Sequence, residues 1–451
     1  MSVTTGVLAA AAAPRRLPGA AAAPCVDRVT ARLAQAVAAA ADATEAEAEA
    51  EVEAERAVVL EEFWADAARR GTPLIEAVDG DPDHCTATFL WRGHRATRQV
   101  LLVAEGIADH ADLAASRLSP LPGTDIWHLT YRLRADHRAS YRMAADISPG
   151  GPPASAALLQ QRLLSLSAHA APDPLNPRRI ADRWLDRPAS VLELPQAPAR
   201  AWTDRRAGAP RGRVERHRLA AGVLGAERDV WTYLPPDGHA TKSGRPAKGG
   251  EPTMGGEPTK GGEPTKLPVL VLADGDMWFG RLAFQDTLDA LIAEGALPPL
   301  AVLAPDAVDR DTRRRELAAH ERHVGFLADE LLPWAAGRWP LTTDPARTLV
   351  AGQGLGGLAS LYAGFLRPER FGNVLAQSAP VSRLDIAPSR PVTVRLDVGL
   401  REDEILDHHR DLYETLRSRG CPVTLGEYNG GHDWACWRGC LTEGLVGLLG
   451  H

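Results

Sequence analysis

The sequence predicts an α/β protein in which a small β-sandwich precedes a larger, doubly wound parallel sheet. Between residues 267 and 427, short apolar segments alternate with helical ones, which is the pattern of parallel strands joined by crossover helices. Between residues 86 and 143, short strand-like segments follow one another without intervening helices, which is typical of a sandwich. At 451 residues the chain is too long for one core, and two domains are expected.

Composition restricts the classes of function. Apolar residues make up 45% and charged residues 24% of the chain, as in globular proteins, and the net charge of -7 argues against nucleic acid or acidic membranes as partners. No run reaches the ~18 apolar residues of a membrane span. No basic segment precedes the first apolar stretch, so a signal peptide is the disfavoured alternative. Five scattered cysteines, an odd number, indicate a reducing cytoplasm, and Cys436 and Cys440 are expected in a core rather than on a metal.

The first part of the chain is divided by composition. Residues 1–57 are rich in Ala and then in alternating Ala and Glu, and are predicted to be a disordered tail or a solvated helix without a packed core. Order is expected from Val58, and residues 58–190 form the predicted β domain. Its strands are predicted at 86–91, 100–103, 125–133 and 139–143.

Residues 191–451 form the predicted second domain, interrupted by a repeat. Gly-Gly-Glu-Pro-Thr occurs three times within 249–266, and its polar, turn-rich units predict a flexible surface loop; a binding role for the repeat is the less favoured alternative. Strands are predicted at 213–219, 230–234, 267–272, 300–304, 348–351, 371–377, 392–398 and 423–427, and helices at 283–297, 324–334, 358–365 and 406–418.

A glycine-rich turn between the strand at 348–351 and the next helix points to chemistry. The segment Gly352-Gln353-Gly354-Leu355-Gly356 has the spacing of G-x-S-x-G, the nucleophile elbow of α/β-hydrolases, with Gly354 where serine is expected. Glycine tolerates such a turn but cannot attack a carbonyl. A phosphate-binding loop is the alternative, but it should open the first βα unit and be followed by an acidic residue about 20 positions later, and neither holds here.

The other members of a hydrolytic triad follow in the order acid, then histidine. Glu402 lies in an acidic loop after a predicted strand, with Asp403 and Glu404 as competitors, although carboxylates that stabilise a helix N-terminus are an alternative. His432 follows Gly430 and Gly431 in a glycine-hinged loop after the last strand, and is predicted to be the general base rather than a surface histidine.

An oxyanion hole is predicted from two backbone N–H groups. The loop 273–278, after the first strong strand, would contribute the N–H of Gly275, and the second donor would be Leu355, the residue after the nucleophile position. An ordinary Asp-Gly turn is the alternative for the first loop.

Several segments together resemble the enterochelin (ferric enterobactin) esterase family. They are residues 125–128, 173–177, 274–278, 315–317, 330–333, the elbow, 368–375, and Gly-Gly-His-Asp-Trp-Ala-Cys-Trp-Arg-Gly at 430–439. The last of these is the most specific. The resemblance covers roughly residues 60–451 without the repeat.

The resemblance implies an Ig-like domain packed on an α/β-hydrolase domain in a cytoplasmic protein. The implied substrate is an imported ferric catecholate siderophore, whose trilactone is hydrolysed; iron enters as part of this substrate, and no other cofactor or metal is implied. By position, Gly354 is the nucleophile site, His432 the base and Glu402 the acid. The substrate-binding residues that it implies are Trp278, Arg313, Arg315 and Trp434, with a solvated basic stretch as the alternative for the two arginines.

Loss of the serine leaves three hypotheses. The chain is a weak or rerouted siderophore esterase, a non-catalytic binder of ferric catecholates, or an esterase for another acylated substrate. Ser360 and Ser378 are the candidates for a substitute nucleophile, and both are poorly placed by sequence. The sequence makes no prediction of oligomeric state.

Overall fold

A computed structural model describes residues 21–41, 43–108, 112–148, 155–199, 208, 210–236, 266–318 and 321–450. The Gly-Gly-Glu-Pro-Thr repeat therefore lies outside the described residues, apart from Lys266. The chain divides into two compact units. The first comprises Met1–Pro198, Leu400–Glu404 and Asn429–Cys436, and the second comprises Ala199–Gly399, Ile405–Tyr428 and Trp437–His451.

The first unit is built mainly from antiparallel strands. Its elements are the helices α1 (Pro24–Ala39), α2 (Glu45–Arg70) and α3 (Ala156–Ser167) and the strands β1 (Leu74–Val78), β2 (Asp81–Arg92), β3 (Gln99–Ala104), β4 (Arg117–Pro120), β5 (Ile126–Arg134), β6 (Arg138–Asp146), β7 (Arg179–Ile180) and β8 (Ala189–Glu193). The strands pair in the order β1-β2-β5-β4-β3-β6-β8-β7. Alternating apolar residues of β2, β5 and β6 form its core, with the Phe89 ring edge-on to Tyr141. The four predicted strands are confirmed.

Helices α1 and α2 correct the prediction of a disordered tail. Residues 24–39 and 45–57 lie in these two helices, because the Ala- and Glu-rich sequence has high helix propensity and the Glu47 side chain accepts from the Thr44 N–H at 3.2 Å. The alternative of a helix without a packed core is also wrong for α1. Its apolar residues Cys25, Val26 and Val29 are buried in a cluster with Trp64 of α2. Residues 1–20 lie outside the described part of the chain.

The predicted boundary between the domains also needs correction. A division at 190 falls inside β8, which pairs with β6 through Val191 and Leu192. The first unit continues to Pro198 and also takes in the two short segments 400–404 and 429–436, which a linear division of the sequence could not assign to it.

The second unit contains the larger sheet. Its strands are β9 (Arg213–Ala221), β10 (Ala226–Leu234), β11 (Val269–Leu272), β12 (Ala301–Pro305), β13 (Thr348–Gln353), β14 (Asn373–Gln377), β15 (Thr393–Gly399) and β16 (Val423–Tyr428). The helices that lie wholly or mostly in it are α4 (Gly275–Trp278), α5 (Phe284–Ala293), α6 (Arg310–Leu317), α7 (Glu321–Gly325), α8 (Leu332–Ala336), α9 (Leu355–Leu366), α10 (Glu404–Ser418) and α11 (Trp434–Leu449). A π-helical segment, Phe326–Leu331, joins α7 to α8.

The strand order in this sheet is β16-β15-β14-β13-β11-β12-β10-β9. Strands β11 to β16 are parallel, which confirms the predicted parallel sheet, whereas β10 and β9 add an antiparallel edge. The strands β11 to β14 are fully buried, as expected for apolar runs covered on both faces. Because their carboxyl ends meet at one edge, the loops that follow them can form a shared site.

Within the described part of the chain, no helix combines the length and the apolar character that crossing a bilayer requires.

Candidate active site

The predicted elbow is a sharp turn between β13 and α9. Gly354 has φ 55° and ψ -122°, a combination outside the main regions that L-residues occupy. Its N–H donates to the Gln377 carbonyl of β14 at 2.8 Å, and its own carbonyl accepts from the Leu358 N–H at 3.1 Å. The turn is therefore fixed by hydrogen bonds on both sides, with glycine at the position from which a nucleophile would project.

Small residues around Gly354 allow the strand and the helix to cross closely. A Cβ on Gly352 would lie 2.4 Å from the carbonyl carbon of Gly356, and one on Gly356 would lie 2.9 Å from Cβ of Ala273. Side chains at these positions would force β13 and α9 apart. The flanking glycines are thus explained by the geometry of the elbow.

The predicted oxyanion loop follows β11 and lies against the elbow. Its Asp274 has φ 68° and ψ 48°, and the short helix α4 begins at Gly275, where a Cβ would lie 2.1 Å from the Ala304 carbonyl oxygen. The buried Asp274 carboxylate accepts from Gln353 Nε2 at 2.6 Å and from Arg313 Nε and Nη2, each at 2.8 Å. Arg313 Nη2 also donates to the Gln353 carbonyl at 3.2 Å. This buried ion pair joins the loop, the elbow and α6.

Glu402 and His432 form a hydrogen-bonded pair in the first unit. His432 Nδ1 donates to Glu402 Oε2 at 2.8 Å, with the Glu402 side chain 2% exposed and the His432 side chain 44% exposed. A buried carboxylate on Nδ1 fixes the ring tautomer and leaves Nε2 to accept a proton. Among the predicted acids Glu402, Asp403 and Glu404, the first is the one that contacts the imidazole.

Comparisons with known proteins identify the family. Residues 86–203 match the family described as "Enterochelin esterase, N-terminal", and residues 258–448 match the family described as "Putative esterase". Iron(III) enterobactin esterase of Dickeya dadantii is 32% identical over 86% of this chain and 93% of its own length. The chain belongs to the enterochelin esterase family.

Other relatives of the enterochelin esterase family extend the likeness. Iron(III) salmochelin esterase of Escherichia coli O6:H1 is 30% identical over 86% of this chain and 93% of its own length. The crystal structure of the Shigella flexneri enterobactin esterase in the presence of enterobactin has a TM-score of 0.70 at 27% identity, covering 86% of this chain and 97% of that one. The ferric enterobactin esterase from Salmonella typhimurium has a TM-score of 0.70 at 28% identity, covering 86% and 98%. The predicted family and the α/β-hydrolase fold with its preceding β domain are confirmed.

One residue implied by the enterochelin esterase resemblance is placed differently by the structure. Trp278, predicted to bind substrate, is completely buried in the core of the second unit, and its ring centroid lies 5.0 Å from that of Phe284. A side chain with no exposed surface cannot contact a ligand, so this prediction is wrong. The motif located the loop correctly, but it did not reveal the direction of the side chain.

The two predicted arginines differ in their surroundings. Burial lowers the pKa of Arg313, but the adjacent Asp274 carboxylate outweighs it, so the net pKa is raised and the guanidinium is held as a charged partner of Asp274. Its N–H groups donate to Asp274 of the oxyanion loop and to the Gln353 carbonyl of the elbow. Arg315 is exposed and donates to Thr312 Oγ1 at 3.0 Å, which fits the alternative of a solvated basic stretch. Trp434, the first residue of α11, is half-buried in the first unit.

Neither candidate substitute nucleophile is accessible. Ser360 is buried and its hydroxyl donates to the Gly356 carbonyl at 2.8 Å. Ser378 is completely buried, and its hydroxyl accepts from Trp437 Nε1 at 2.8 Å and lies 3.0 Å from the Tyr428 hydroxyl. Both hydroxyls are committed to the interior, so the elbow has no obvious replacement for a serine hydroxyl.

Sequence reasoning missed the residues that support this site. Asp274 was treated as part of a turn, although an acid followed by glycine after a buried strand, with arginines on the next helix, indicates a possible ion pair. The contacts of Asn429 and Asp433, which flank His432, were not anticipated either. Among the described residues, no group of three or more His, Cys, Asp or Glu side chains is arranged to hold a metal.

Proposed function

We propose that this protein binds ferric catecholate siderophores of the enterobactin class in the cytoplasm, and that it hydrolyses their esters slowly because Gly354 occupies the nucleophile position. The observation that carries the proposal is an assembled Glu402–His432 pair in a chain whose elbow has glycine at its centre. Relatives named iron(III) enterobactin and salmochelin esterases supply the substrate class. Iron enters with the siderophore, and no resident cofactor is needed.

The mechanism that we propose uses His432 as a base toward water. In the usual triad the histidine removes the serine proton and returns it to the leaving alcohol. With Gly354 in place, Nε2 of His432 would take a proton from water, the hydroxide would attack the ester carbonyl, and the same proton would then pass to the departing serine hydroxyl of the siderophore. The N–H groups of Gly275 and Leu355 would stabilise the oxyanion.

The rate expected from this route is low. In a serine hydrolase that has lost a triad member, catalysis of roughly 10³–10⁴-fold over water persists from the oxyanion hole and substrate binding. The covalent acyl intermediate cannot form without a hydroxyl. A non-catalytic role in siderophore binding is the second candidate, and the same glycine favours it.

The test combines binding with turnover. Ferric enterobactin is titrated into the purified chain and binding is followed by quenching of tryptophan fluorescence, while chromatography measures the linear products over hours. We expect saturable binding by wild type and slow hydrolysis that His432→Ala removes without loss of binding. Binding with hydrolysis equal to that of His432→Ala would favour the non-catalytic role, and absence of binding would contradict the proposed function altogether.

A further inference from the structure

The loop that carries His432 is held by a hairpin of the first unit. The backbone carbonyl of Asn429 accepts from the Arg138 N–H at 3.1 Å, its Oδ1 accepts from His137 Nδ1 at 3.1 Å, and its Nδ2 donates to Asp136 Oδ1 at 2.6 Å. Asp136 and His137 lie in the turn between β5 and β6, and Arg138 is the first residue of β6. Three hydrogen bonds therefore fix the residue that starts the loop.

Asp433, directly after His432, is fixed as firmly. Its Oδ2 accepts from the Ser140 N–H of β6, and its Oδ1 accepts from the Ala435 N–H at 2.8 Å at the start of α11. Cys436 Sγ then donates to the Arg138 carbonyl at 3.4 Å. The chain is thus anchored to the same sheet edge on both sides of the histidine.

The two glycines before His432 pack closely and are not a simple hinge. A Cβ on Gly431 would lie 3.1 Å from the Gly106 nitrogen, and a Cβ on Gly106 would lie 3.0 Å from Cβ of Arg401 and 3.3 Å from the Gly431 nitrogen. Gly106 follows β3 and has φ 68°. The Arg401 N–H donates to the Gly430 carbonyl at 3.0 Å, which connects this loop to the one that carries Glu402.

These contacts have a consequence for the imidazole. The His432 side chain is 44% exposed, so burial restricts its orientation only in part. The position of its backbone and the hydrogen bond to Glu402 also orient the ring. Both depend on loops that approach Gly106 and the 136–140 segment.

We propose that the β5–β6 hairpin and the turn after β3 position the Glu402–His432 pair, with Gly106, Asn429 and Asp433 as positioning residues. The effect of this positioning on catalysis rests on the proposed function, whereas the positioning itself does not. It gives the β5–β6 hairpin and the turn after β3 a role in the chemistry through the placement of the catalytic pair. The amide of Asn429 and the absence of a side chain at Gly106 are the features that can be tested separately.

The experiment measures which ring nitrogen of His432 carries the proton in the full chain. Histidine is labelled with ¹⁵N, the His432 ring resonances are identified by their loss in His432→Gln, and their chemical shifts at alkaline pH are compared in wild type, Gly106→Ala, Asn429→Ala and Gly123→Ala. Gly123→Ala is the matched control, because Gly123 has φ 72° in the same unit but open space around its Cβ position. Alanine at either position has the same unfavourable positive φ. Only the Cβ of Gly106→Ala would contact the loops that carry Glu402 and His432.

The expected result is a smaller share of the Nδ1–H tautomer of His432 in Gly106→Ala and Asn429→Ala, as contact with the Glu402 carboxylate weakens. The share of this tautomer in Gly123→Ala should equal that of wild type. In a Gly354→Ser background, kcat should fall roughly ten- to a hundredfold in the first two variants with little change in KM, since a small displacement of a catalytic group is costly.

An unchanged share of the Nδ1–H tautomer in both Gly106→Ala and Asn429→Ala would overturn the inference, as would an equal change in Gly123→Ala. Absence of hydrolysis by Gly354→Ser itself would count against the proposed function, while the tautomer measurement would still decide the positioning role.

Discussion

Gly354 and His137 illustrate how single residues set the properties of this protein. At Gly354 the backbone adopts φ 55° and ψ -122° without a Cβ, so the turn avoids the strain of about 1–3 kcal/mol that a residue with a side chain would store in such a region. Glycine therefore stabilises the elbow while removing its reactive group. His137 is buried completely beneath the loop that carries His432, and its neutral ring donates to Asn429.

The pH dependence of stability should reveal His137. Burial lowers its pKa from 6.5 to about 4. Above pH 6.5 the ring is neutral in both the folded and the unfolded chain, so it does not make the free energy of unfolding depend on pH. Below pH 6.5 the unfolded chain binds a proton at this residue, whereas the folded chain does not. Stability should fall as pH drops from 6.5 toward 4, by about 3 kcal/mol from this residue at about 1.36 kcal/mol per pKa unit.

Chemical denaturation of wild type and His137→Gln at a series of pH values measures this effect. His137→Gln should lose the part of the acid sensitivity that wild type shows between pH 6.5 and 4, whereas His94→Gln, at an exposed position, should retain it. If the free energy of unfolding fell equally with pH in wild type and His137→Gln, His137 would not be the titrating group.

The elbow, the oxyanion loop and α6 depend on one another through Asp274. The Asp274 side chain is completely buried and the Arg313 side chain is 15% exposed, whereas the side chains of the Arg218–Glu227 pair are 65% and 62% exposed. Breaking a buried pair leaves an uncompensated charge and typically costs about 3–5 kcal/mol. The Asp274–Arg313 ion pair therefore links the elbow, the oxyanion loop and α6.

Asp274→Asn should therefore lower the free energy of unfolding by about 3 kcal/mol, because the buried Arg313 guanidinium loses its counter-ion. The control is Glu227→Gln, which breaks the exposed pair of Glu227 with Arg218 and should cost less than about 1 kcal/mol. Urea denaturation of the full chain measures both. Equal effects of the two substitutions would contradict the role given to Asp274.

Prediction of these elements from sequence succeeded where burial dictates the pattern. The sequence predicted strands such as β11, which has four consecutive buried apolar residues, and it predicted the elbow from its glycine spacing. Few other structures are compatible with these two patterns. Residues 24–39 were misjudged because the Ala-rich composition of this segment obscures the short apolar stripe of Cys25, Val26 and Val29. Trp278 was misassigned since the direction of a side chain after a tight turn depends on tertiary packing.

The whole molecule combines two compact units whose membership does not follow the chain order. The elbow belongs to the second unit, while the segments that carry Glu402 and His432 belong to the first. Sequence order predicted the pairing of acid and histidine, because the hydrolase pattern fixes it. It could not predict that Asp136 and His137, almost 300 residues earlier, would hold Asn429, since such contacts arise only in the folded chain.

In the proposed function, Gly354 deprives the triad of its attacking hydroxyl. The most direct measurement is the turnover of ferric enterobactin by Gly354→Ser, beside Gly354→Ala and the double variant Gly354→Ser with His432→Ala. Gly354→Ala shares the backbone strain but supplies no hydroxyl. We expect Gly354→Ser to raise kcat by roughly a hundredfold or more over wild type, since a working triad is worth far more than residual catalysis. That gain should be absent in the other two variants; a Gly354→Ser protein no faster than Gly354→Ala would contradict the account.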